Sequence, residues 1–132
     1  FQFGANDTIA FGGSLKRYGA RIGVVLDRLR EAVPGASCLI IGPLDRLERG
    51  PGGKLVSPEV VQKVSRRQRE VGLAHGCAFF DGQRAMGGPG SMKRWLARGL
   101  ALKDRVHLNP RGSRLFARRL ERALLAGYDA SR

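Results

Sequence analysis

The chain has 132 residues, 42% hydrophobic and 27% charged, which gives room for one domain with a hydrophobic core and too little for two. That balance excludes a disordered polymer, and no apolar run approaches a membrane span or a signal-peptide pattern. The net charge of +13 would attract nucleic acid, anionic membranes or acidic polysaccharides. It is carried by 19 Arg against 5 Lys without an arginine block or an aromatic-interleaved basic patch, so it reads as compositional bias, and nucleic acid is not an expected partner.

Taken in chain order, "FQFG" predicts a short strand that begins without Met, as in a processed or excised piece of something longer, and "GANDT" predicts a turn. From Ser14 to Val33, Leu15, Tyr18, Ile22, Leu26 and Leu29 recur at helical spacing, and Pro34-Gly35 ends the helix. "SCLIIG" is continuously apolar, as a strand buried on both faces would be. The Gly/Pro-rich "ERGPGGKLV" is a loop. It fails as a phosphate loop, because Glu48 stands at the first glycine position and Leu55 replaces Ser/Thr.

Ser57 is placed as N-cap and Pro58 at the first position of a helix running to about His75, with Val60, Val61, Val64 and Val71 inward. "CAFFD" is a third buried strand. After "GGPGS", a short helix puts Met92, Trp95, Leu96 and Leu100 on one face. Asn109 caps the last helix, in which Leu115, Phe116, Leu120, Ala123 and Leu124 face inward and Arg111, Arg114, Arg118 and Arg122 form a solvated side. Buried strands alternating with helices predict a parallel sheet in a layered α/β fold. Three strands make a thin sheet, so the chain reads as the second half of a domain.

Two cysteines, Cys38 and Cys77, sit in apolar runs. Free buried thiols are the default there, and they pair only if their strands are neighbours. With no CxxC, no HExxH and two histidines, the sequence argues against a metal site. His75 stands at a helix end with no acid nearby in sequence and reads as structural. His107 has Asp104 three residues upstream on a loop, an acid that can orient an imidazole as a general base requires. At the carboxyl end of the first strand, Asn6 can donate its amide to a developing oxyanion.

"FGAND" closing a strand and "DRVHLNPRG" opening the last helix together resemble the SGNH (GDSL-type) hydrolases. The resemblance implies a flavodoxin-like three-layer α/β/α core with a parallel sheet, lacking its N-terminal strands, with residues 1–132 as the C-terminal portion of one such domain. It implies a serine ester hydrolase, esterase- or lipase-like, without cofactor. Asn6 is then an oxyanion donor, Asp104 the orienting acid, His107 the general base, and Gly4 and Ser91 substrate-binding positions. "AMGGPGSMKRWLARGL" resembles the branch that removes O-acetyl groups from cell-wall polysaccharides, which implies acetylated polysaccharide as substrate and a periplasmic or secreted setting.

The family's Gly-Asp-Ser-(Leu) block, bearing the nucleophile, and the glycine of its second block have no counterpart here. Ser14 in "FGGSL" has Gly13 in place of the aspartate and is placed as a helix cap, Ser57 is another cap, Ser91 a helix start or substrate contact, and Ser113 lies in the first turn of the last helix. The nucleophile is therefore expected on an N-terminal segment outside the chain, with which it would associate. The alternative is a non-catalytic basic module of the same fold that binds anionic glycan, cell wall or nucleic acid.

Overall fold

A computed structural model describes residues 14–130. The predicted "FQFG" strand and the "GAND" turn, with Gly4 and Asn6, lie outside the described residues. The elements in order are α1 (Leu15–Ala32), β1 (Leu39–Ile41), β2 (Glu48–Arg49), a 3-10 turn (Pro51–Gly53), β3 (Leu55–Val56), α2 (Glu59–Ala74), β4 (Ala78–Phe80), α3 (Gly82–Met86), α4 (Ser91–Ala97) and α5 (Pro110–Asp129). They fall into two compact units, one containing residues 14–44 with Pro58–Gly82 and the other Asp45–Ser57 with residues 83–130.

In the first unit β1 and β4 run parallel with Leu39 opposite Ala78 and Ile41 opposite Phe80, the parallel α/β arrangement that continuous apolar runs predict. The ladder continues at both ends, where Ala78 donates to the Cys38 carbonyl and Gly42 to that of Phe80. Ile22 and Leu26 of α1, Ile40 of β1, Val71 of α2 and Cys77 form the core, with Tyr18, Cys38 and Phe79 packed against it. Leu29, placed on the same stripe by its spacing, is 48% exposed, so α1 buries a narrower face than predicted. Gly72 lets α2 lie close on the sheet: a Cβ there would sit 2.6 Å from Ile40 Cδ1. Gln68, fully buried in α2, donates to the Tyr18 hydroxyl at 2.8 Å, a polar tie that an apolar-stripe reading passes over.

The cysteines are not free thiols. Cys38 and Cys77 stand one residue ahead of adjacent parallel strands and form a disulfide, which closes a loop across 39 positions. Strand adjacency is what allows it.

In the second unit the "ERGPGGKLV" loop is a small hairpin, with Glu48 opposite Val56 and Arg49 opposite Leu55. Pro51–Gly53 turns it, with Gly52 and Gly53 at φ of 67° and 72°. Its apolar core comprises Leu47, Met86, Met92, Trp95, Leu100 and Phe116. Trp95 donates its indole N–H to the Met86 carbonyl at 2.8 Å, and the Arg119 guanidinium lies over its ring, 5.3 Å from the centroid. Arg119 also donates to the Ala85 carbonyl. On the expected inward face of α5, Leu120 is half-buried, and beyond it Ala123 is exposed and Leu124 is 51% exposed. No helix of the described residues is long and apolar enough to cross a membrane.

Replacing Cys38 and Cys77 together by alanine should lower the free energy of unfolding by roughly 3–4 kcal/mol, the loop-closure value for a crosslink of this span. Denaturant melts of the oxidised protein and the double variant measure it; coincident midpoints would contradict the pairing.

Candidate active site

The site residues described here belong to the second unit and follow from the chain between α4 and α5. An antiparallel bridge joins Ala101 to Leu108, Leu102 N–H donates to the His107 carbonyl at 2.8 Å, and Arg105 N–H donates to that of Leu102 at 3.1 Å. The segment must turn sharply inside that bridge. Arg105 does so at φ 66°, the one non-glycine left-handed residue among those described.

Asp104 holds the turn. Its Oδ1 accepts from the Val106 N–H at 2.9 Å and the His107 N–H at 3.0 Å, and its Oδ2 lies 2.8 Å from His107 Nδ1. The first two contacts are the local side-chain-to-backbone bonds that aspartate makes in turns. The third connects that same carboxylate to the imidazole.

Two residues on, Asn109 caps α5 as its position predicts. Its Oδ1 accepts from the N–H groups of Arg111 and Gly112, both at 3.0 Å, and its Nδ2 donates to the Gly99 carbonyl at 2.9 Å. Pro110 follows at the first helical position. Gly112 cannot carry a side chain, because a Cβ would fall 1.9 Å from the Leu100 carbonyl oxygen. The helix start is thereby pressed against the strand-like segment that leads into the turn.

The two backbone N–H groups, His107 first and Val106 second, and then the His107 ring, lower the Asp104 pKa to about 2. An ionised carboxylate only accepts, so the hydrogen between the pair sits on Nδ1 and Nε2 is the ring nitrogen left to take a proton when the imidazole is neutral. The His107 side chain is 66% exposed, so Nε2 is open to a reactant. Because the folded pKa of Asp104 is depressed, its contribution to stability is present above the ordinary aspartate value. It is lost as pH falls toward about 2. Solvent screens this half-exposed pair, so that contribution is small.

The other serines and the other histidine behave differently. Ser57 does not cap α2: Pro58 is the N-cap residue, and the Ser57 hydroxyl donates to Asp45 Oδ1 at 2.5 Å. Ser91 opens α4 and is fully buried, with its hydroxyl 3.4 Å from Asp45 Oδ2, so it offers a substrate no hydroxyl in this arrangement. Ser14 stands at the N-cap of α1 without a side-chain cap bond, and Ser113 lies exposed in the first turn of α5. His75, without an acid near in sequence, has one near in space. Its Nε2 lies 3.3 Å from Asp27 Oδ1 on α1, while Nδ1 bonds the Val71 carbonyl at 2.8 Å.

Asp45 is the polar residue that sequence reading passes over. Its one signal is placement: it ends "IIGPLD", just past a buried strand, where sites of α/β folds gather.

An imidazole fixed by a carboxylate, with its second nitrogen open, is the arrangement found in hydrolases that activate a nucleophile. The sequence matches the GDSL-like lipase/acylhydrolase family over residues 1–115, and the chain belongs to that family. It is also similar to a solved structure of a peptidoglycan O-acetylesterase, at 30% identity and a TM-score of 0.88. That likeness covers 98% of this chain and 37% of the other, and it gives this chain the SGNH hydrolase fold. No curated protein matches the chain.

Carbon-detected NMR titration of Asp104 should give a midpoint of about 2. In His107→Ala the midpoint should rise and yet stay below the ordinary aspartate value, because the backbone N–H groups dominate the shift. A midpoint restored to the ordinary value would contradict the Asp104-held turn.

Proposed function

We propose that the chain is the C-terminal portion of a single SGNH-hydrolase-like domain of a serine ester hydrolase that acts on small acyl esters, carbohydrate O-acetyl groups foremost. The nucleophilic serine lies on a segment outside residues 1–132. The observation that carries this reading is the 2.8 Å contact of His107 Nδ1 with Asp104 Oδ2, which leaves Nε2 open. Among the described residues no serine bonds that imidazole, and Ser57 and Ser91 are committed to Asp45.

His107 Nε2 takes the serine proton as the hydroxyl oxygen attacks the ester carbonyl, and Asp104 stabilises the imidazolium that forms. The carbonyl oxygen gains the negative charge of the tetrahedral intermediate, which Asn6 stabilises by donating its side-chain N–H. On collapse the bond to the alcohol breaks and His107 returns the proton to the departing oxygen. Water then repeats the cycle on the acyl-serine, with His107 again as base, and releases the carboxylic acid. The O-acetylesterase relative supports an acetylated polysaccharide as the natural ester. The Cys38–Cys77 disulfide supports an oxidising, periplasmic or extracellular, compartment.

Hydrolysis of p-nitrophenyl acetate by the full-length protein tests the reading. His107→Ala should reduce kcat/KM by on the order of 10³-fold or more. Asn6→Ala should reduce kcat by about 100- to 1,000-fold. Unchanged hydrolysis in His107→Ala would sink the proposal and leave a non-catalytic module of the same fold.

A further inference from the structure

Asp45 is fully buried, yet among the described residues no lysine or arginine lies in an ion pair with it. Four donors converge on its carboxylate instead. Oδ1 accepts from the Ser57 hydroxyl and from Gln83 Nε2 at 2.8 Å, and Oδ2 accepts from Met92 N–H at 2.8 Å and, at longer range, from the Ser91 hydroxyl. A carboxylate kept from water is costly unless its oxygens are satisfied, so this set fixes Asp45 against three separate stretches of chain: the end of the hairpin, α3 and the first turn of α4. Its own N–H faces Met86 Sδ at 3.3 Å.

The next two residues are buried as well, Arg46 at 7% and Leu47 at 5% exposure. Leu47 N–H then donates at 3.0 Å to the carbonyl of Arg105, the left-handed residue between Asp104 and His107. That carbonyl shares its peptide plane with the Val106 N–H, so rotation of the peptide would carry this N–H away from Asp104 Oδ1. The Leu47 contact holds it still, and Asp45 holds Leu47.

We infer that Asp45 is a positioning residue for the Asp104–His107 pair and acts through the rigid segment Asp45-Arg46-Leu47 on the Arg105 carbonyl. The inference rests on His107 serving as the base proposed above. Asp45 touches no substrate. Its effect is to keep the imidazole at one orientation, where a misplacement of about 1 Å costs on the order of 100-fold in rate.

The test combines p-nitrophenyl acetate kinetics with the ¹H resonance of the His107 Nδ1–H proton, read on the full-length protein. Asp45→Ala should lower kcat by on the order of 10- to 100-fold with KM within about 2-fold, and should shift or broaden the Nδ1–H resonance. Asp45→Asn should recover most of that loss: its amide oxygen still accepts from Met92 N–H, while the Ser57 hydroxyl and the Gln83 carbonyl can turn to accept from its NH₂. If Asp45→Ala does not fold, Ser57→Ala decides, with a few-fold fall in kcat at constant KM and a displaced Nδ1–H resonance expected. Variants that melt earlier but keep kcat and the Nδ1–H resonance of the parent would overturn the inference and make Asp45 structural only. Loss of activity failing to appear in His107→Ala would instead sink the functional reading, and the resonance alone would then decide whether Asp45 positions the pair.

Discussion

Burying a carboxylate forces its surroundings to supply donors, and among the described residues of the second unit that requirement organises the chain around Asp45. A hydroxyl, a side-chain amide and the backbone N–H of a helix's first turn point at its two oxygens. Met92 N–H is one of the orphan donors at a helix start, and Gly90 at the N-cap has no side chain to satisfy it. The carboxylate therefore closes the start of α4 from outside the helix. Because breaking one partner of a buried polar set leaves the others unsatisfied, the arrangement resists partial loosening. The backbone two residues beyond Asp45 meets the turn that carries Asp104 and His107, so rigidity in this buried cluster reaches an exposed pair.

That pair is economical in its construction. One oxygen of Asp104 shapes the backbone and the other faces the imidazole, so the residue that folds the turn is the residue that orients the ring. Asn109 then fastens the far side by capping α5 while it donates to the Gly99 carbonyl. The ring is exposed, and its orientation comes from anchored backbone at both ends.

Much of this was legible in the sequence because it depends on neighbours a few residues apart. Continuous apolar runs marked β1 and β4, Asn109-Pro110 marked the start of α5, and the D-x-x-H spacing marked the Asp104–His107 contact. What escaped depends on distant partners. Ser57-Pro58 has the local signature of a helix cap, and Asp45, 12 residues upstream, competes successfully for the hydroxyl. His75 gains Asp27 from another helix, and the cysteines meet only because β1 and β4 are adjacent. The helical stripe of α5 continues past Leu120, but burial does not, since periodicity reports which face is apolar and not whether anything covers it. The short hairpin at 48–56 was hidden because its glycines and proline signal a turn more strongly than two-residue strands signal pairing.

The central claim is that His107 and Asp104 serve a serine located outside residues 1–132. A fluorophosphonate probe applied to the purified full-length protein, followed by intact and peptide-level mass spectrometry, tests it most directly. The account predicts one adduct per molecule on a serine outside residues 1–132, lost or strongly slowed in His107→Ala. An adduct on Ser14, Ser57, Ser91 or Ser113, or labelling that proceeds unchanged without His107, would contradict it.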